Sequence, residues 1–496
     1  MKTFYHSTRS ADEAVTSKQA ILTGIAPDGG LYVSDQLGQE KLALSDVVTS
    51  GYHAIARNVL SVLLSDYTAD EISSCVAGAY AENFDTPLVT PLSPVGSDWL
   101  LELWHGPTCA FKDVALQMLP RLMSTARTGT AAQGGVMIVT ATSGDTGKAA
   151  LDGFADVAGT GVTVFYPAGK VSDIQRLQMV TQRGGNVAVA GIRGTFDDAQ
   201  TQVKRIFADR ALAERLAQEG VVLSSANSIN VGRLVPQVTY YFDAYAQLVQ
   251  AGTIACGDAV DFCVPTGNFG DVLAGYFAKQ LGLPVGQLIV ASNTNKVLTD
   301  FIQTGTYDRR REFVKTISPS MDILVSSNLE RLLYYLSDGD CERVASWMAS
   351  LSSEGIYTLP AEMMDRMRGT FSCGFATDEE TRATIRSTWD EQGVLIDPHT
   401  AVGKCVLDRM AFEGRQRVCL STANPYKFSA DVLAALGHDV SGLDGFACMD
   451  KLEQVTGVVA PTQLSALRSA AVLHDTVCDQ AEMSGFVEDA CARVFA

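Results

Sequence analysis

Val136-Met137-Ile138-Val139-Thr140-Ala141-Thr142-Ser143-Gly144-Asp145-Thr146-Gly147-Lys148-Ala149-Ala150-Leu151 reads as a strand, a loop and a helix in immediate succession. An apolar, β-branched run bounded by turn residues is the signature of a buried strand. The Ser/Thr/Gly loop that follows opens a helix, where backbone N–H groups, hydroxyls and the helix dipole favour an anion. The carboxylate of an amino acid is a natural guest, with Ser143 and Thr146 as candidate donors. Taken alone, the loop reads equally well as a capped helix start. It is not a nucleotide phosphate loop, because Ala149 follows Lys148 where Ser or Thr is required.

The same alternation extends in both directions. Strand-like runs at Val136–Val139, Val162–Tyr166, Val187–Ala190, Val260–Val264 and Gln287–Ala291 alternate with helix-period segments from about residue 95 to 300. That pattern predicts an α/β fold of parallel sheets with helices on both faces. Gly/Pro turns and a helical pattern near 45–65 predict an amino-terminal subdomain. Residues 330–393 are rich in charge and helix formers, as in Leu329-Glu330-Arg331-Leu332-Leu333-Tyr334-Tyr335, and predict a helical insertion. The stretch after Pro461 predicts an amphipathic helix docked on the large domain. The expected units are 1–92, 93–225 and 226–496, the last holding the insertion.

Three further motifs carry chemistry. In His105-Gly106-Pro107-Thr108-Cys109-Ala110-Phe111-Lys112-Asp113, one lysine stands among apolar and small residues. Burial disfavours an ammonium, so Lys112 is a candidate amine nucleophile toward an aldehyde. An ion-paired lysine at a helix start is the plain alternative. In Pro265-Thr266-Gly267-Asn268-Phe269-Gly270-Asp271, two glycines before a helix allow close wrapping around a phosphate. An ordinary βα turn would look similar. In Leu420-Ser421-Thr422-Ala423-Asn424-Pro425-Tyr426-Lys427-Phe428, a hydroxyl at a strand end can face a pyridine nitrogen, or else form a simple turn before proline.

Composition narrows the classes. With 496 residues, two or three domains are expected. A net charge of −18 opposes nucleic acid and anionic membranes. It also opposes an anionic substrate, so positive charge must be concentrated locally, and Arg233, Lys112 and helix N-termini are the places for it. No signal core opens the chain and no long apolar run crosses it, so a cytoplasmic protein is expected. Eleven cysteines without a CxxC pair read as reduced thiols, and the six scattered histidines give no metal-ligand spacing, so no metal is expected.

Together these motifs resemble threonine synthase, in the longer form found in many bacteria and fungi. HGPTCAFKD, TSGDTG, PTGNFGD, Ser224–Arg233 (SSANSINVGR), Asp397–Gly403 (DPHTAVG), Ser7–Ser10 (STRS) and Gly24–Val33 (GIAPDGGLYV) stand in the same order along nearly the whole chain. The resemblance implies a fold-type II pyridoxal 5'-phosphate (PLP) enzyme, like the β subunit of tryptophan synthase. Its reaction would convert O-phospho-L-homoserine and water into L-threonine and phosphate. By position, Lys112 resembles the Schiff-base lysine, and Gly267, Asn268, Phe269, Gly270 and Asp271 the loop holding the cofactor phosphate. Thr422 resembles the residue facing the pyridine nitrogen and Asp145 the residue beside the ring hydroxyl. An anionic Asp145 beside a phenolate is repulsive unless one is protonated or a neighbour compensates. Arg233 and Asn230, then Thr108 and Ser143, are the candidate donors to the substrate phosphate. The chain departs from the family at Asn424, usually His, and at Cys109, usually Leu. A monomer or weak homodimer is expected. Another PLP lyase, of the threonine dehydratase kind, and a non-catalytic binding module on the same fold remain the competing readings.

Overall fold

A computed structural model describes residues 4–142, 144–411 and 414–495. The amino-terminal part pairs β1 (Phe4–Ser7) with β2 (Ser10–Thr16) and β3 (Tyr32–Val33) in an antiparallel sheet. Helices Tyr52–Leu63 and Ala69–Ala79 then pack their apolar faces inward. Reciprocal capping boxes start two of its helices, Thr16 with Gln19 and Thr68 with Glu71.

The remaining strands build two large sheets and a separate two-stranded antiparallel pair. β4 (Leu92–Val95) and β5 (Asp98–Glu102) come first, followed by β6 (Gly135–Ala141), β7 (Thr160–Pro167), β8 (Val187–Ile192) and β9 (Val221–Ser224). Next are β10 (Val260–Pro265), β11 (Val285–Ser292), β12 (Thr306–Asp308), β13 (Ile356–Thr358), β14 (Phe371–Phe375), β15 (Gln416–Ser421) and β16 (Val477–Cys478). The larger sheet has the order β14-β11-β10-β15-β5-β4 and the smaller β16-β8-β7-β6-β9. Within these two, all neighbours are parallel except the β4–β5 hairpin. β7 and β8 are buried at every position, as covered parallel strands require.

Three expectations change. β4 and β5 lie in the larger sheet, so the chain crosses it before entering the smaller domain; a boundary at 93 cuts this hairpin away from its partner β15. The 330–393 segment is not purely helical, because β13 pairs with β12 and β14 forms an edge of the larger sheet. The final helix, Met483–Phe495, packs on the smaller domain: Met483, Val487, Ala490 and Cys491 join Met137, Val139 and Phe165 in one apolar cluster. Amphipathicity reports that a face is buried and not against what.

The helices Lys112–Ala126 and Asp145–Phe154 touch backbone to side. A Cβ on Gly153 would stand 1.9 Å from Leu116 O, and one on Gly147 would stand 2.2 Å from Thr142 Cγ2. These two glycines let the helices that carry Lys112 and Asp145 approach each other and the sheet. No helix among the described residues is long and apolar enough to cross a membrane.

Candidate active site

The site forms at the carboxyl ends of parallel strands, where loops leave β5, β6, β10 and β15. Three backbone bonds draw the first and last of these loops together: Leu103 N to Ser421 O (3.0 Å), Phe111 N to Thr422 O (2.9 Å) and Asn424 N to Cys109 O (3.0 Å). Lys112 is thereby held next to Thr422 although they are far apart in sequence. The approach bends the chain at Cys109, which is buried with φ 58, and it needs Gly106, where a Cβ would meet Asp113 Oδ2 at 2.6 Å. Cys109 is thus a left-handed bend as well as a packing residue.

Lys112 opens its helix with a side chain 13 % exposed. Its Nζ lies 3.5 Å from Ser320 Oγ and 3.8 Å from Asp145 Oδ2. Burial pulls its pKa down to about 8, Asp145 opposing the shift and Lys427 and Arg233 adding to it. Asp145 has a second and nearer cation, Lys427, whose Nζ stands 2.8 Å from Oδ1. Among the described residues Oδ1 has no aligned hydrogen-bond donor, but at that separation the contact is an ion pair whatever its angle. Burial alone would raise the pKa of Asp145; Lys427 and then Lys112 hold it well below the usual carboxylate range.

The Gly267–Gly270 loop meets the same centre through Ser320. A Cβ on Gly267 would stand 2.6 Å from Ser320 O, so only glycine passes there. The left-handed residue of the loop is Phe269 (φ 63), at the start of helix Gly270–Gln280, and not either glycine. Ser326 Oγ donates to Gly267 O (2.7 Å), and Asn328 donates to Asn268 O from its backbone N and its Nδ2 (3.0 Å each). Asn328 is in turn held by Arg331, which also reaches Tyr32 O and Ile229 O and is fully buried. The amino-terminal subdomain therefore braces the loop.

Several expected residues have other work. Asn230 is fully buried; its Nδ2 donates to Ile21 O (2.9 Å) and Ser225 O (3.4 Å), and its Oδ1 accepts from Gly232 N. It caps a helix and ties down the amino-terminal subdomain, with no donor left for a phosphate. Thr108 spends its hydroxyl and its N–H on Asp113 (2.6 and 2.8 Å). The carboxyl of Asp271 accepts from the Tyr240 and Tyr241 hydroxyls and is pushed up to about 7 by burial, and the residue stands in the first turn of the helix that opens at Gly270. Ser143 lies outside the described residues. Thr146 is half-buried in the first turn of the Asp145 helix.

Arg233 is a deeply buried cation. It is 3 % exposed, Nη1 donates to Ala226 O (2.9 Å), and its Nε, also buried, has no partner among the described residues. Among the described residues no carboxylate pairs with it, and burial pulls its pKa down to about 10. A buried guanidinium in this state is costly unless an anion joins it.

Ser320, Asp397 and Lys427 were not singled out from sequence, whereas His399 stands in a motif and reads as a hydrogen-bonding residue rather than a metal ligand. His399 Nε2 accepts from Ser320 N (3.1 Å) while its Nδ1 faces Asp397 Oδ2 (2.6 Å), which orients the ring and, with it, the Ser320 turn beside Lys112. The DPHTAVG run contained the signal. Asn424 caps the turn that carries Lys427, its Oδ1 accepting from Tyr426 N (3.0 Å), so the departure from His leaves a working cap.

Three family models match in order: threonine synthase N terminus over 4–80, pyridoxal-phosphate dependent enzyme over 83–422, and threonine synthase C-terminal over 400–470. Threonine synthase of Pseudomonas aeruginosa is 39% identical over 433 residues, covering 86% of this chain and 88% of that one. The chain matches threonine synthase-like 1 of Macaca fascicularis and Homo sapiens at 38% and 39% identity over 86% and 84% of its own length, and spans 59% and 58% of theirs. Among solved structures, PLP-bound threonine synthase from Brucella melitensis superposes with a TM-score of 0.88 at 36% identity, covering 100% of both chains. The yeast threonine synthase structure gives 0.87 at 32% identity, covering 99% of this chain and 98% of that one. By sequence over most of its length and by fold, this chain belongs to the pyridoxal-phosphate-dependent enzymes, within the threonine synthase family.

Proposed function

We propose that this protein is a threonine synthase, a lyase that converts O-phospho-L-homoserine and water into L-threonine and phosphate. The carrying observation is two largely buried basic side chains whose charges oppose each other, Lys112 with a lowered pKa and Arg233 with an Nε and a charge that no described residue pairs. The first suits an aldehyde and the second an anion.

The residues fit the family's cofactor. Gly267 admits no side chain, and the helix start beyond Phe269 offers backbone N–H groups to a phosphate. Gly267, Asn268, Phe269 and Gly270 would hold that phosphate, Thr422 would face the pyridine nitrogen, and Asp145 would stand beside the ring hydroxyl. When bound, PLP supplies the electron sink that loosens bonds at the amino-acid α-carbon. Lys112, once its amine is released, is the group that takes and returns protons at the α-, β- and γ-carbons, a task suited to an amine titrating near 8. Arg233 binds the phosphate that leaves, matching two of its oxygens with one planar fork.

Incubating the pure protein with O-phosphohomoserine tests this reading. Threonine and free phosphate should appear in equal amounts; 2-oxobutyrate in place of threonine, or no turnover, overturns it. A second expectation concerns Thr422. Its replacement by Asp should favour a protonated pyridine nitrogen and turn more substrate into by-products, lowering synthase activity more than cofactor affinity. Threonine formation at the parent rate with no by-products would remove Thr422 from that position.

A further inference from the structure

Asp145 meets two lysines, one at each carboxylate oxygen, both carried by neighbouring loops of the larger sheet. Lys112 is 3.8 Å from one carboxylate oxygen and Lys427 is 2.8 Å from the other. The nearer is also the more deeply buried, with a side chain 1% exposed against 13%. Charge attraction grows as separation and dielectric fall, so the Lys427 pair is the stronger.

Lys427 also donates to Thr108 O (2.8 Å). It sits in the turn after β15, on the larger sheet, whereas Asp145 opens the helix after β6, on the smaller one. A single ammonium thus joins the loop before Lys112, the loop before Asp145 and the end of β15. Among the described residues Asp145 is the one carboxylate within ion-pair distance of it.

Resting on the reading of Lys112 given above, we propose that Lys427 is a positioning residue: it is the standing counter-cation of Asp145, holding that carboxylate ionised at the cofactor ring and leaving the Lys112 amine without a full counter-charge. This answers the repulsion expected of an aspartate beside a ring oxygen, because the pair Lys427–Asp145 is neutral as a unit. It also separates two duties that one lysine cannot perform together. A lysine firmly paired to Asp145 would stay an ammonium and neither attack an aldehyde nor accept a proton. The charged groups facing Lys112 are Asp145 and Asp113, which favour its ammonium, and Lys427 and Arg233, which oppose it; His399 reaches it through the Ser320 turn.

The test uses the full-length protein and four variants: Lys427→Met, Lys427→Arg, Asp145→Asn and the double Lys427→Met/Asp145→Asn. Before cofactor is added, Lys112 is acylated at limiting reagent from about pH 6 to 10, and its labelling is read by mass spectrometry. In the parent the midpoint should lie near 8. Lys427→Met should move it upward by about one pH unit, because Lys112 then inherits Asp145 as its own partner. Lys427→Arg should keep it close to the parent. Asp145→Asn should lower it, and in that background Lys427→Met should move it less than it does in the parent, because Lys427 acts through the carboxylate. After loading, the pH titration of the cofactor's visible absorbance should move in the same directions.

An unmoved midpoint in a folded Lys427→Met protein overturns the proposal. Should that variant not fold, Lys427→Gln takes its place, and an unmoved midpoint there overturns the proposal instead. Failure of the underlying reading looks different: the parent itself would show no visible band with PLP, or Lys112→Ala would keep one.

Discussion

Replacing Lys112 with alanine is expected to abolish threonine formation and the visible absorbance of the lysine-bound cofactor together. No other amine can take its place. Lys427 is locked between Asp145 and Thr108 O, and Lys148 is paired with Asp152 (3.1 Å) and Gln182 inside its own domain. Loss of the proton-transferring group alone is worth roughly 10²–10⁴ in rate, and loss of the covalent anchor adds to it. The variant should fold at least as well as the parent, because burying an ammonium costs free energy that alanine does not. Activity, absorbance spectra and thermal melts on the same preparation check all three points. A Lys112→Ala protein that still turns over with its visible band intact removes Lys112 from the centre of the mechanism. Lys148→Ala is the control and should retain the band.

Arg233→Ala should weaken binding of phosphohomoserine far more than binding of an analogue without the phosphate, with the cofactor's absorbance unchanged. A charge-assisted contact of this kind is worth about 1.5–3 kcal/mol, or roughly one to two decades in affinity. Nε is the atom to watch, since it is buried and unpartnered while Nη1 is already spent on Ala226 O. Arg233→Lys should recover part of the loss, because a point charge cannot reproduce the guanidinium fork. Competition binding with the two ligands decides the matter. Equal losses for both would make Arg233 a support for the 226–233 segment, and the phosphate contact would then be sought at Thr146 and the loop that holds it.

The geometry also explains why some candidates read well and yet serve elsewhere. Asn230 and Thr108 are polar residues in the right segments, and a sequence offers no way to see which acceptor each one meets. In the folded chain, Ile21 O takes the amide of Asn230 and Asp113 takes the hydroxyl of Thr108. Asp271 follows the phosphate loop directly, but Tyr240 and Tyr241 hold its carboxyl from a neighbouring helix. Lys427 shows the converse. Its neighbours Asn424, Pro425 and Tyr426 announce a turn, and nothing local announces that the turn delivers an ammonium to Asp145, on the other sheet.

Local pattern by itself determined the α/β class, the strands β6, β7, β8, β10 and β11, and the two loops that end in helix starts. These follow from side-chain periodicity and turn chemistry within a few residues, which a linear string contains in full. The order of motifs likewise determined the family and the choice of Lys112. Tertiary structure decided where β4, β5, β14 and the last helix belong, because an apolar face specifies burial without specifying its partner. It also decided the electrostatics of the site. The low pKa of Lys112, the ionised Asp145 and the Arg233 Nε that no described residue pairs depend on distances of a few ångströms between residues far apart in sequence, and on the water excluded around them.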